Sequence, residues 1–347
     1  MAVTQETLQA VAALRRQLTT LTDAQTRALT QAWAEAWDVL LPEFELALTD
    51  LLAGAVDGKV TRAMAARNIR LTGALRLARE YLDVLAPQAQ NIITQDLTTV
   101  VLEAAEGHAA VVQSQLPPGA AGAGVSFTRV PEAALTAIVE RTTQQIHKAT
   151  RPLPADIVRL MKRNLVRGIA VGDNPRATAA RIIRESEGRF NGGLTRALVI
   201  SRTETLDAHR AATKASEKVN AEVLTEWEWH ASLDRRTCPS CLAKHGQRFP
   251  LEQDGPQDHH QGRCARVSVT KSWKDMGFDI PEPPSETPDA RAWFDSLTPD
   301  TQEGIMGKGR LKLLQSGQIS WDDLSTKRST DGWRDSYHVT PLRDLVK

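Results

Sequence analysis

The chain has 347 residues, enough for two or three domains and for sizeable cores. Apolar residues make up 41% and charged residues 24%, which excludes wholesale disorder. With 43 basic and 42 acidic side chains, no global field draws it toward nucleic acid or membrane. Charge is uneven along the sequence, however. Residues 1–113 carry 9 basic and 13 acidic groups, residues 128–222 carry 17 and 10, and the remainder 17 and 19. Only the middle third, at +7, is suited to an anionic partner. No run reaches the roughly 18 apolar residues of a bilayer span. Met1-Ala-Val-Thr-Gln-Glu does not begin a secretory signal, so the expectation is a cytosolic chain without a membrane segment.

The first third reads as helix. Val11, Leu14, Leu18 and Leu21 form one stripe, continued by Leu29, Trp33, Ala36, Trp37 and Leu40, and Pro42 is expected to end or kink that helix. Met64, Leu71, Leu75, Ala78, Leu82 and Leu85 form a second stripe; Ile93, Leu97, Val100, Ala104 and Val111 form a third. An antiparallel bundle or long hairpins would bury all three, with nothing catalytic in residues 1–113. Such a region is suited to docking on other proteins. Residues 114–127, uncharged up to Ser126 and rich in Gly, Pro and Ala, read as a linker and the main domain boundary. Helical periodicity resumes in the basic segment 128–222, with Asn174-Pro175 as a helix start and Gly192-Gly193 as a break.

The period then changes. Thr225, Trp227 and Trp229 alternate with Glu226, Glu228 and His230, and Val267 and Val269 alternate similarly, so residues 223–275 read as a small β module. Residues 276–347 read as a helical extension, with Trp293, Phe294, Leu297, Ile305, Leu311 and Leu314 as core. The fold class expected is mainly α: a helical N-terminal region and a helical body with a small zinc-stabilised β element.

All three cysteines, Cys238, Cys241 and Cys264, fall between the two strand candidates. Cys238-Pro-Ser-Cys241 is a C-x2-C knuckle, Cys264 offers a third thiolate, and His260 lies four residues before it. Cys238, Cys241, His260 and Cys264 would make a closed Cys3His zinc set with no position for water, hence a structural Zn²⁺. His259 can replace His260, because spacing does not separate adjacent histidines; His245 and His230 are weaker candidates. A Cys238–Cys241 disulfide, or three reduced cysteines in a core, are the readings without metal. A His-Asn-His nuclease would need a further Asn and a downstream His. The chain has no Asn after Asn220 and only His338 after His260, so an enzyme is not expected.

Three segments resemble the phage Mu F-like head morphogenesis family, the minor head proteins of tailed bacteriophages. They are Ala197-Leu-Val-Ile-Ser-Arg-Thr-Glu-Thr205; Ala231-Ser-Leu-Asp-Arg-Arg-Thr-Cys-Pro-Ser-Cys241 with Gly246 and Phe249; and His260-Gln-Gly-Arg-Cys264 with the strand Ala265–Val269. Ala292-Trp-Phe294 through Ile305-Met-Gly307 is similar to the family's C-terminal extension, so the resemblance spans about residues 130–325. Many relatives have a second cysteine where this chain has Arg263. The resemblance implies a non-enzymatic structural part of the virion, present in a few copies at the portal vertex or capsid interior. Portal, major capsid and scaffold proteins would be its partners, packaged DNA a further contact, and no small-molecule substrate is implied. It also suggests that Arg202 or Glu204 ties its helix to the zinc module, a solvated helix face being the other reading of this segment. A nucleic-acid-binding protein using the basic segment is the alternative.

Overall fold

In the computed structural model, which describes residues 3–55, 61–120, 128–150, 153–168, 175–330 and 333–346, helix dominates up to Val219 and strands follow it. The helices are α1 (Gln5–Ala53), α2 (Arg62–Arg67), α3 (Ile69–Thr94), α4 (Leu97–Gln113), α5 (Glu132–Thr150), α6 (Leu153–Gly168) and α7 (Pro175–Val219). After them come β1 (Leu224–His230), α8 (Pro239–Lys244), β2 (Arg248–Pro250) and β3 (Ala265–Thr270). The C-terminal part holds α9 (Ala290–Asp295), α10 (Pro299–Met306), α11 (Lys308–Gln315), the strands β4 (Ser325–Thr330) and β5 (Trp333–Val339), and α12 (Leu342–Leu345).

Two expected interruptions are absent. α1 passes through Pro42, because Pro42 and Asp38, whose carbonyl loses its partner, both lie on the exposed face while Phe44, Ala47 and Leu48 continue the buried one. α7 passes through Gly192 and Gly193: a Cβ on Gly193 would stand 3.4 Å from Trp33 Nε1 and 3.6 Å from Ile157, so the glycine admits close packing rather than a turn. Asn174 lies outside the described residues.

The chain forms two compact units, and neither follows the chain order that composition suggests. One gathers Thr20–Leu97 and Glu140–Glu204, with a core in which Trp33, Trp37, Leu40 and Phe44 of α1 meet Leu71, Ala78 and Leu82 of α3, Met161 of α6 and Phe190 of α7. The other gathers Met1–Thr19, Thr98–Val139 and Thr205–Lys347. Residues 1–113 are therefore shared between the units rather than forming a region apart.

Within the second of these units, β1 lies between β2 and β3, antiparallel to both; Trp227 stands opposite Phe249 on one side and Ser268 on the other. Trp227 stacks on Phe249 with centroids 4.6 Å apart, and the Arg266 guanidinium lies 4.4 Å from the Trp227 ring centre. Val267 and Val269 pack against Val3, Val11 and Val111. The first part of the expected linker is packed as well. Gln115 is buried, donates to Ser268 O at 2.8 Å and accepts from Thr270 N at 3.3 Å, while Trp273 Nε1 donates to its carbonyl at 2.8 Å. Buried polar groups bonded this well belong to a core, not to a tether; residues 121–127 lie outside the described residues.

A buried polar chain joins α4, α7 and β3. Arg266 Nε donates to both Glu217 oxygens at 2.8 and 2.7 Å, Ser268 Oγ donates to Glu217 Oε1 at 2.6 Å, and His108 bridges Ser268 Oγ at 2.6 Å and Ser216 Oγ at 2.8 Å. The C-terminal extension departs from the helical expectation, because β4 and β5 form an antiparallel hairpin. It joins the rest of the unit through Ser240 Oγ···Ser325 Oγ at 2.8 Å and through Tyr337 N donating to Gln257 O at 2.7 Å.

Candidate metal centre

β1 ends at His230 and hands the chain to a turn that places Cys238 as the N-cap of α8, where its sulfur accepts from Cys241 N at 3.4 Å. Pro239 suits the first helical position, since its missing N–H would be unpaired there anyway. One helical turn thus sets the two sulfurs of the knuckle side by side. After β2 a loop returns to β3, and Cys264 is its last residue.

The loop is shaped by a few residues. Gln261 has φ +62°, and Gly262 N donates to His259 O at 2.9 Å, closing a tight turn. A Cβ on Gly262 would stand 2.1 Å from Asp258 Oδ2, so only glycine fits. Asp258 is fully buried; its Oδ2 accepts from Cys264 N at 3.1 Å and from Arg210 Nη2 at 2.8 Å. The same guanidinium nitrogen donates to Gly262 O at 3.0 Å and Cys264 O at 2.9 Å, and Nη1 pairs with Asp207 at 2.8 Å. α7 therefore holds both ends of the loop through one side chain. Arg263 grips Asp234 by two bonds of 2.6 and 2.7 Å, tying the loop to the turn before α8. At the end of β1, Arg15 donates to His230 O at 2.6 Å.

The result is a cavity of about 210 Å³ lined by Cys238, Cys241, Cys264, His259, His260 and Arg263, among others. One ligand atom each from Cys238, Cys241 and His259 lies within 4.8 Å of the other two. His259 Nδ1 faces His260 O at 2.9 Å; donating there leaves Nε2 for the sulfurs, the arrangement usual for a metal-bound imidazole. Cys264 is buried beside Cys241. His260 borders the same cavity, but its ring packs edge-on against His338, with centroids 6.4 Å apart. Of the four ligands expected from spacing, Cys238 and Cys241 are thus brought together, Cys264 adjoins them, and His259 rather than His260 completes the cluster. His245 and His230 serve elsewhere: His245 Nδ1 accepts from Ala231 N at 2.9 Å and its Nε2 faces Pro288 O at 3.0 Å, while His230 Nε2 bonds Glu228 Oε1 at 2.7 Å. All three cysteines are free thiols, so the disulfide reading is not realised.

The electrostatics suit a cation. Hydrogen bonding from Cys241 outweighs burial and, with His259, holds the Cys238 thiol down to about 4. His259 is pushed up to about 9 by its hydrogen bond to Cys238, against the effect of burial. Cys241 moves the other way, raised by its hydrogen bonds to Cys238 and Cys264 and by burial. A bound cation would take the place of the proton these groups share, which would be released while the thiolates stay as ligands. The donor set fits zinc: soft sulfurs and an imidazole, in numbers that would fill a tetrahedral ion.

Residues 160–284 match the family model for Phage Mu protein F like protein. The chain carries a Mu F-like region. Comparison with curated proteins and with solved structures gives no match. The Mu F-like region takes in most of α6, all of α7, the three-stranded sheet, α8 and the Cys/His loop, and so contains Arg210, Asp258 and the whole candidate centre. It ends before α9, so the segment Ala292–Gly307 and the β4–β5 hairpin lie beyond it. Spacing did not single out Arg210. Asp207 and Arg210 stand three residues apart on a helix, which reads as an ordinary solvated pair. Arg210 lies about two turns beyond Arg202-Thr203-Glu204 on the same helix.

Proposed function

We propose that this chain is a phage minor head protein, a non-catalytic component of head morphogenesis that works in the virion. The observation that carries this reading is the match over residues 160–284, which contains α7, the buried Arg210–Asp258 clamp and the Cys/His cluster, while α1 to α5 lie outside it. A structural Zn²⁺ held by Cys238, Cys241, His259 and Cys264 would staple strands that are too short to hold by themselves, because metal binding free energy is folding free energy at such sites. Three thiols and an imidazole leave no position at which the ion could activate water, so the centre is a staple and not a catalyst. No helix among the described residues is long and apolar enough to cross a membrane. The partners are other head proteins, with portal, major capsid and scaffold proteins the first to test.

The test is genetic and compositional. In purified virions of the phage that encodes the chain, mass spectrometry should find it at a few copies per head. A null mutant should give defective or empty heads, rescued by the wild-type gene. Normal infectious heads from the null mutant, with the chain absent from wild-type virions, would overturn the reading.

A further inference from the structure

The Glu140–Glu204 portion of the chain holds a second cavity, about 380 Å³, lined by α6 and α7 far along the sequence from the cysteines. Four arginines border it, Arg159 and Arg163 from α6 and Arg189 and Arg196 from α7, against a single lining acid, Asp156. Arg159 stands 3.0 Å from Asp156 and Arg196 stands 3.8 Å from it, so this one carboxylate is shared. Among the described residues no acid pairs with Arg163 or Arg189.

The same unit shows what a merely solvated helix face looks like. On α3, Arg76 and Arg79 each have an acid four residues on, Glu80 at 3.8 Å and Asp83 at 3.6 Å. At the α6–α7 opening that balance is missing, and four like charges around one opening repel unless an anion lies among them. Space is left for one. A Cβ on Gly188 would meet nothing within 4 Å, and that on Gly192 only Ile157 at 3.8 Å, so the α7 wall is bare backbone one turn apart. The two apolar lining residues, Ile157 and Leu160, are buried and half-buried, which leaves no exposed apolar anchor for a protein partner. All the cations are arginines, whose planar fork matches phosphate oxygens bidentately; Arg159, Arg163 and Arg189 are exposed, and Arg196 is half-buried and also donates to Ala149 O at 3.2 Å. No aromatic lines the opening to stack a base.

From these features we infer that the α6–α7 opening binds the phosphodiester backbone of nucleic acid without reading its sequence. The four arginines contact successive phosphates, and Gly188 and Gly192 let the backbone approach. This site is independent of the metal centre, and its test does not depend on bound zinc.

The experiment titrates the full-length protein with a fluorescent DNA duplex between 50 and 200 mM salt, which phosphate contacts make steeply unfavourable. The expected slope of log affinity against log salt is about −3.6, each of the four phosphate contacts contributing about −0.9. Arg163→Gln with Arg189→Gln should flatten it by roughly two contacts and weaken low-salt binding on the order of tenfold. Gly188→Glu, a helix-compatible change that puts a carboxylate in the opening, should weaken binding likewise. Arg76→Gln with Arg79→Gln should change neither quantity, and circular dichroism should be the same for all four proteins. Absence of binding at 50 mM salt, or wild-type slopes in both the arginine and Gly188 variants, would overturn the inference. So would competition by poly-glutamate as effective, charge for charge, as competition by unlabelled duplex, since that would assign the opening to an acidic protein segment.

Discussion

His108 holds its place by a chain of protons with only one consistent direction. The Ser268 hydroxyl gives its proton to the Glu217 carboxylate, so it must accept from His108 Nε2–H, and Nδ1 must accept from Ser216. Burial first, and the Arg266 charge second, push His108 down to about 3. In the unfolded chain a histidine titrates near 6.5. As pH falls below that value, the unfolded chain gains a proton that the folded chain refuses, so stability should fall from about pH 6.5 down toward 3. One such proton gives a slope of about 1.4 kcal/mol per pH unit. His108→Gln should be less stable than wild type at pH 7.5 by about 1–3 kcal/mol, through lost buried hydrogen bonds. Between pH 6 and 4.5 its stability should fall less steeply than wild type by about one proton's worth, measured by urea unfolding at several pH values. Parallel curves would show that His108 already carries its proton in the fold.

His259→Ala should lose most of the bound zinc, whereas His260→Ala should retain it, read as metal per chain after gel filtration in reducing buffer. The cysteines were legible in the sequence because C-x2-C spacing survives any loop geometry. The choice between His259 and His260 was not. It depends on the turn made by Gln261 and Gly262 and on the His259 Nδ1 contact to the next carbonyl, which set ring direction and leave no spacing signal.

Elements differed in how plainly they could be read. β1 and β3 alternate with tryptophan and valine, and both were legible as strands. β2 has only three residues, and β4 (Ser-Thr-Lys-Arg-Ser-Thr) carries no apolar alternation, so neither was. Pro42 and Gly192-Gly193 were read as breaks from local propensity, which packing of Phe44 and Trp33 overrides. The least legible contact is the most consequential for the loop, since Arg210 lies 48 residues from Asp258. Arg210→Met keeps bulk but leaves Asp258 buried without its cation. The change should cost about 3–5 kcal/mol in urea unfolding and weaken zinc retention against a chromophoric chelator about 10–100-fold. Asp258→Asn in that background should restore part of the stability, because the uncompensated charge is removed. If Arg210→Met matches wild type in both assays, the clamp does not position the loop.

At the scale of the whole molecule, composition suggested a chain divided at residues 114–127, whereas the two compact units each draw on separated stretches of sequence. An uncharged Gly- and Pro-rich run signals a cheap place to turn, not whether its neighbours pack. Gln115 and Trp273 join stretches that lie 158 residues apart. Removing residues 1–113 should therefore yield an insoluble or protease-sensitive fragment, since it deletes His108 and Arg15 from the unit that contains the sheet. A soluble fragment with wild-type zinc content and a cooperative melt would restore the linear division. We propose that the Mu F-like region folds around a closed Cys/His zinc centre. Native mass spectrometry of the full-length chain, purified in reducing buffer without added metal, tests it most directly. The expected result is one zinc ion per chain, with all three cysteines protected from alkylation until a chelator is added. A metal-free mass with three freely alkylated thiols and an undiminished melting temperature would contradict it.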